Sequence, residues 1–225
     1  MRRVVLLTCL LIVACSVRAQ DDPEYKMEVG AGVGLVSYQG DFNDRLFKSQ
    51  QPMASLLLRR AWNPYMGLKL AASYGQIKGS SNDIKTYYAD YQTSSYDFKK
   101  SLLDVSLTYE YNFWPYGTGN DYRGAKRLTP FVFLGLGGTY AKGDGDHVFT
   151  ANVPLGIGIK YKLADRVNLG IEWAMHFSLN DKLDGVKDPY GVKSTGLFKN
   201  TDCYSALQLT LTYSFMERCR ICNKD

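Results

Sequence analysis

Long apolar runs are absent from this 225-residue chain beyond its first twenty residues. No internal stretch of eighteen apolar residues occurs, so no helix in the sequence is built to cross a bilayer. Histidine is scarce, at two residues, and no G-x-S-x-G or comparable nucleophile motif accompanies either one, which leaves little to build a hydrolase from. Strong charge is lacking too. The formal net charge of +5 includes Arg2, Arg3 and Arg18, and a segment 1–19 without acids takes those three with it, lowering +5 to +2. That balance gives no footing for nucleic-acid binding. The acidic stretch "GDGD" has too few ligands for a calcium loop and reads as a turn.

What the chain does carry begins with "MRRVVLLTCLLIVACSVRAQ". Arg2 and Arg3 form a positive n-region, residues 4–14 an apolar core, and Val17-Arg18-Ala19 a small-residue cleavage site. The core is too short to anchor, so residues 1–19 are expected to be an export signal. Ile12-Val13-Ala14-Cys15 offers a rival, cleavage before Cys15 with lipidation of it. Both routes lead out of the cytoplasm.

The 17 tyrosines favour strands and the 21 glycines disfavour long helices. Period-two alternation then recurs along the chain. In "LLDVSLTYEYNF", Leu103, Val105, Leu107, Tyr109, Tyr111 and Phe113 alternate with Asp104, Ser106, Thr108, Glu110 and Asn112. "YKMEVGAGVGL", "NVPLGIGIKYKL", "VNLGIEWAMHFS" and "LQLTLTYSF" repeat the pattern. "MASLLLRR" and "YMGLKLAASYG" follow it less cleanly, and "TPFVFLGLGGTYA" is apolar on both faces. Eight strands are predicted.

The joints between them are short at "WNP" and "ADR", with 113–127 a longer exception, and long and polar on the other side. Short turns on one side and long loops on the other characterise an outer-membrane barrel with periplasmic turns and termini. The expected fold is therefore an all-β, eight-stranded antiparallel transmembrane barrel over residues 20–215. Tyr25, Trp62, Tyr65, Phe113, Trp114, Tyr116 and Phe215 are candidates for its interfacial girdle. A soluble lipocalin-like or sandwich protein would show the same alternation with the apolar face turned inward. The export signal, the strand lengths and the loop asymmetry favour the membrane barrel.

With the apolar set against lipid, the inward set is Lys26, Glu28, Arg59, Lys69, Asp104, Glu110, Lys160, Lys162, Glu172 and His176. Bases and acids in that set must pair, because an unpaired buried charge is very costly. An eight-stranded barrel filled this way leaves no channel. The expected interior is a plug of ion pairs. An acid/base role for His176 and for His147, read as a loop residue, is the competing view, with no supporting motif. No cofactor, metal or small-molecule substrate is expected.

The chain closes "FMERCRICNKD", where residues 216–225 form a basic tail carrying Cys219 and Cys222. A c-type haem site needs His after the second cysteine and Asn223 stands there. A thioredoxin-like motif needs a strand–helix context, and zinc needs four ligands. Cys203, at the far end of the last strand, is too distant to bond the pair. Arg218, Cys219, Arg220 and Cys222 read as a covalent clip or docking tail in the periplasm, with an inert tail as the alternative.

Several segments resemble the PorG family: "VGLVSYQGDF", "LLLRRAWNPYMGLKLAASYGQIKG" and "PLGIGIKYKLADRVNLGIEWAM". "LNDKLDGV" is similar to that family's Phe-Thr-Asp-Tyr-Leu-Asp-Asp-Val segment, matching at Asp181, Leu183, Asp184 and Val186 and differing at Leu179, Asn180, Lys182 and Gly185. The resemblance runs along most of residues 25–215. It implies a non-enzymatic outer-membrane component of the Bacteroidetes type 9 secretion system, tying a periplasmic ring of PorK and PorN to the membrane. The competing expectation is a surface-exposed barrel of adhesin type, using the Tyr-rich loop "KTYYADYQTSSYDF".

Overall fold

Among the described residues eight strands follow one another and no helix occurs: β1 (Tyr25–Gln39), β2 (Gln51–Asn63), β3 (Met66–Ser80), β4 (Asp97–Asn112), β5 (Leu128–Lys142), β6 (His147–Ala164), β7 (Val167–Ser178) and β8 (Cys203–Glu217). The computed structural model describes residues 25–39, 50–80, 97–117, 125–143, 147–179 and 203–217. Each strand pairs antiparallel with the next, and β8 returns to β1, closing the barrel. Closure leaves no edge with unpaired backbone groups, which a strand in hydrocarbon cannot tolerate.

The register fixes the barrel's proportions. Steps from Met27 to its partner Arg60, then through Leu68, Tyr109, Leu134, Leu155, Met175 and Ser205, return to β1 at Ser37. Position 27 to position 37 is a stagger of ten residues around the eight strands. With strands about 4.8 Å apart and about 3.3 Å of rise per residue, that stagger tilts the strands by about 40°. Even the 12 residues of β7 then rise about 30 Å along the axis, enough for the apolar band of an outer-membrane barrel.

Alternation decides which face meets what. Leu136, Phe149 and Leu56 point outward and are 72%, 70% and 68% exposed, whereas the intervening Thr108, Glu110 and Asn152 are buried. The two-faced β5 settles with Phe131 and Phe133 inward and Leu134 and Leu136 outward. A continuous belt of exposed leucine, valine and isoleucine is stable against lipid and not against water. The barrel is inside out relative to a lipocalin, so the soluble alternative fails.

Two tight turns close one end. Asn63 Oδ1 accepts hydrogen bonds from the Tyr65 and Met66 amides, both at 2.8 Å, while Pro64 fixes the backbone for the turn. The β6–β7 turn lies at the same end, as do the start of β1 and the finish of β8. This is the turn end; the opposite one is the loop end. At the loop end the strands run further than alternation indicates. β3 and β4 stay paired to Ser80 and Asp97, and His147, expected in a loop, begins β6 opposite Lys142. Past the lipid band outward side chains no longer need be apolar, so the pattern stops while the hydrogen bonds continue.

Candidate functional site

Among the described residues the lumen holds the densest set of charged and polar side chains, and all eight strands contribute to its centre. Arg59 from β2 sits among three carboxylates: Nη1 is 2.6 Å from Glu28 Oε2, Nε is 2.8 Å from Glu110 Oε2, and Nη2 is 3.2 Å from Glu172 Oε1. Lys69 bridges Glu172 at 2.6 Å and Glu110 at 3.4 Å, and Lys160 holds Glu110 at 2.6 Å. Lys160 also donates to Asn112 Oδ1 at 3.1 Å, and Thr212 donates to Glu28 at 3.2 Å. Three cations face three anions, so this inner cage is neutral. β5 supplies no charge but two rings: Lys69 Nζ lies 4.4 Å from the Phe133 centroid and Lys160 Nζ 4.2 Å from that of Phe131. Such contacts add to ion pairing where the cation is desolvated.

Glycine makes room for those rings. Phe133 pairs with Gly156 and Phe131 with Gly158 across the β5–β6 ladder. A Cβ at Gly156 would collide with the Phe133 ring, and one at Gly158 would lie 2.6 Å from Phe131 Cε1. The inward glycines of "PLGIGIKYK" are thus the space in which two aromatic side chains lie flat beneath the lysines.

Toward the loop end a second network forms around Asp104. Its Oδ2 accepts from Thr139 at 3.0 Å, from the Asn152 amide and from the Tyr204 hydroxyl at 2.9 Å. The Tyr204 oxygen is also 3.0 Å from His176 Nδ1, and the His176 and Tyr204 rings stack at 4.4 Å. A Tyr204 hydroxyl that donates to Asp104 can accept from Nδ1–H, which gives both neighbours a partner. Tyr204→Phe is therefore expected to cost about 1–3 kcal/mol, the penalty for stranding buried polar groups. Urea midpoints of the folded barrel in detergent check this; an unshifted midpoint would mean the network contributes nothing.

Beside this network lies a feature the alternation did not reveal. Val36, Tyr38, Met53, Ile77, Leu102, Tyr204 and Ala206 form a buried apolar cluster on the inward face. The interior is not ion pairs throughout, as expected, but ion pairs in the middle and an apolar stopper near the loop end. Side chains at these inward positions pack against one another, with the Tyr204 hydroxyl turned to Asp104, so apolar residues are the cheaper filling.

The turn end is closed by Tyr116. Expected in the interfacial girdle, it instead folds into the mouth and is 4% exposed. Its amide donates to Pro64 O at 3.0 Å and its hydroxyl to Asn168 Oδ1 at 2.8 Å, while Asn168 donates to Ser214 at 2.9 Å. Lys162 Nζ donates to Gly117 O at 2.7 Å and secures the same segment. Trp62, Phe113 and Trp114 do stand outward, and Trp62 packs 6.0 Å from Tyr109. Arg166 donates to the Tyr25 and Tyr213 hydroxyls at 2.8 and 3.4 Å. Those bonds raise its already high pKa further, so it is a fixed charge beside the aromatics.

Among the described residues, two cavities of about 20 Å³ each lie between these layers, one lined by Ser55, Ser73, Ser106, Lys69, His176 and Gln208, the other near Arg59 and Tyr116. Each has room for about one water. Among the described residues there is no passage along the axis. Arg59, Lys69, Asp104, Glu110, Lys160, Glu172 and His176 all point into the lumen. His147 does not join them: it is exposed on the outward face, 6.5 Å from the Tyr140 ring, with the barrel wall between it and His176. The acid/base pair considered from the sequence is not assembled. Arg218, Cys219, Arg220 and Cys222 lie outside the described residues, as do the signal segment, most of "LNDKLDGV" and the Tyr-rich loop.

Over residues 2–224 the sequence matches the family described as "Domain of unknown function (DUF6089)". The chain belongs to the DUF6089 family. No curated protein matches this DUF6089 chain. Among solved structures, the Neisserial surface protein A (NspA) is similar at a TM-score of 0.50 and 15% identity, covering 84% of this chain and 97% of that one. OprG from Pseudomonas aeruginosa gives 0.48 and 12%, covering 87% and 98%. Ail of Yersinia pestis gives 0.43 and 10%, covering 87% and 100%. At such identities the likeness to NspA speaks for fold alone. The DUF6089 chain has the fold of an eight-stranded outer-membrane β-barrel.

Proposed function

We propose that this barrel is a non-enzymatic outer-membrane component of a type 9 secretion machine, anchoring a periplasmic ring of the PorK/PorN type. The observation that carries the reading is the filled lumen. A barrel stopped by Tyr116 at one end, an ion cage in the middle and an apolar cluster near the other offers stiffness and a membrane footprint, not a conduit. The resemblance of residues 25–215 to PorG proteins supplies the partner class. Short turns of outer-membrane barrels face the periplasm. In that orientation β8 delivers residues 216–225 to the ring side, where Arg218, Cys219, Arg220 and Cys222 serve as the docking tail.

Affinity isolation of the tagged barrel from mildly solubilised outer membranes tests this, with bound proteins compared under reducing and non-reducing conditions. Ring subunits are expected, with a disulfide-linked band that reductant releases. Cys219→Ser/Cys222→Ser should weaken recovery of the ring without affecting insertion. Ring recovery with no such band demotes the cysteines and keeps the anchor. A barrel recovered with no periplasmic partner overturns the reading in favour of a loop-mediated surface role.

A further inference from the structure

The outward face at the loop end carries a pocket that neither the lumen nor the tail explains. Its volume is about 630 Å³, and Tyr74, Lys99, Ser101, Leu103, Tyr140 and Lys142 line it on β3, β4 and β5. The register orders this face in rungs. Leu70–Leu107–Leu136 belongs to the lipid band, Ala72–Val105–Gly138 follows with smaller side chains, and Tyr74–Leu103–Tyr140 is the aromatic rung. Gln76–Ser101–Lys142 and then Lys78–Lys99 lie beyond it. The register climbs toward the loop end by ten residues over eight strands. Lys78, Lys99, Lys142 and His147, taken from four successive strands, therefore come nearly level just above the aromatic rung.

Two features of this arrangement need an explanation. Lys78 and Lys99 are direct cross-strand partners, a like-charge pairing that weakens a sheet. Among the described residues no carboxylate is paired with Lys78, Lys99 or Lys142, whereas every lysine of the inner cage is paired. An anion shared by these ammonium groups would turn repulsion into attraction. The height of the site says which anion. Tyrosines mark the boundary between hydrocarbon and headgroups, and cations just beyond them meet headgroup phosphates.

We propose that this pocket binds a phosphorylated glycolipid headgroup of the outer leaflet, of the lipid A class. Lys99 and Lys142 hold a phosphate, with Lys78 adding charge at its rim. Tyr74 and Tyr140 offer ring faces and hydroxyls to the sugar. The small side chain of Ala72 leaves a shallow track for an acyl chain along the lipid band, and the Phe149 ring, which a Cβ at Gly138 would meet at 3.2 Å, walls it toward β6. Among the described residues this cation cluster is confined to the β3–β6 side, which makes it a seat for a particular lipid and not a general belt. The proposal does not rest on the secretion role.

The test uses the purified full-length barrel in phosphatidylcholine bilayers doped with diphosphoryl lipid A, with retained lipid counted by native mass spectrometry after detergent extraction. The wild type is expected to retain lipid A, and Lys99→Gln/Lys142→Gln to lose it by roughly thirtyfold in affinity, from two lysine–headgroup contacts. Lys99→Arg/Lys142→Arg should retain it, and so should Lys126→Gln, a lysine at the opposite end of the barrel. If the Gln variant does not fold, the wild type still decides, because dephosphorylated lipid A should then be lost to the same extent. Equal retention of phosphorylated and dephosphorylated lipid overturns the proposal. Complete displacement by millimolar inorganic phosphate also overturns it, in favour of a free-anion site.

Discussion

Replacing Arg59 by Met is expected to destabilise the barrel by about 3–5 kcal/mol, the cost of breaking a buried ion pair from one side. Among the described residues Arg59 is the only group in contact with all three carboxylates of the cage. Without it, Glu110 and Glu172 keep Lys69 and Lys160, but among the described residues Glu28 keeps only the Thr212 hydroxyl. The cage then carries one negative charge in excess. Arg59→Met/Glu28→Gln removes that excess and should recover more than half of the loss, since an intact buried pair contributes little over a neutral replacement. Arg59→Lys should fall between, because a single ammonium cannot reproduce a fork aimed at three partners. Urea titrations of the refolded barrel, followed by the gel shift between folded and heated forms, measure all three. A Met variant as stable as the wild type would show that the cage does not hold the strands together.

Leu107→Arg is expected to cost about 2–4 kcal/mol in a bilayer, the penalty for a cation at mid-depth on the lipid face. Leu107 sits within the outward apolar run Leu103–Tyr111 of β4, midway along it, between its cross-strand partners Leu70 and Leu136. In a water-soluble protein the same substitution at a half-exposed leucine would fall within about 0.5 kcal/mol of neutral. Leu163→Arg supplies the depth control. Leu163 is also outward and exposed but lies next to the β6–β7 turn, where the cost should fall to about 0–1 kcal/mol. Refolding both variants into the same vesicles and comparing unfolding midpoints gives the profile. Equal costs at the two depths would contradict a membrane-spanning belt.

The outward face was legible because lipid imposes one simple requirement on every second residue. Leu103 through Phe113 and Leu207 through Tyr213 read correctly from period two alone. Even the inward charges were legible as a set, since Glu110 or Lys160 has nowhere else to go once its neighbours face lipid. Their partners were not. Nothing in the spacing of Glu28, Arg59 and Glu172 says that they meet, because their contacts cross separations of 31 and 113 residues and depend on the stagger of ten. Tyr116 was misread for a related reason. A tyrosine at a strand end suits an interfacial girdle, and only the turn that carries its amide to Pro64 directs the ring into the mouth.

By itself, then, the sequence determined the class of the molecule: eight strands, one face for lipid, the other closed and polar, with turns at one end and loops at the other. These follow from local periodicity, which each strand carries independently of the rest. The tertiary structure alone decided the layering of the lumen, from Tyr116 through the Arg59 cage and the Asp104 network to the cluster around Tyr38. It alone brought Lys78, Lys99, Lys142 and His147 level on the outer surface. The physical reason is the same in both cases. Height in a tilted barrel is a sum over the registers of all the strands, and no single strand's sequence contains that sum.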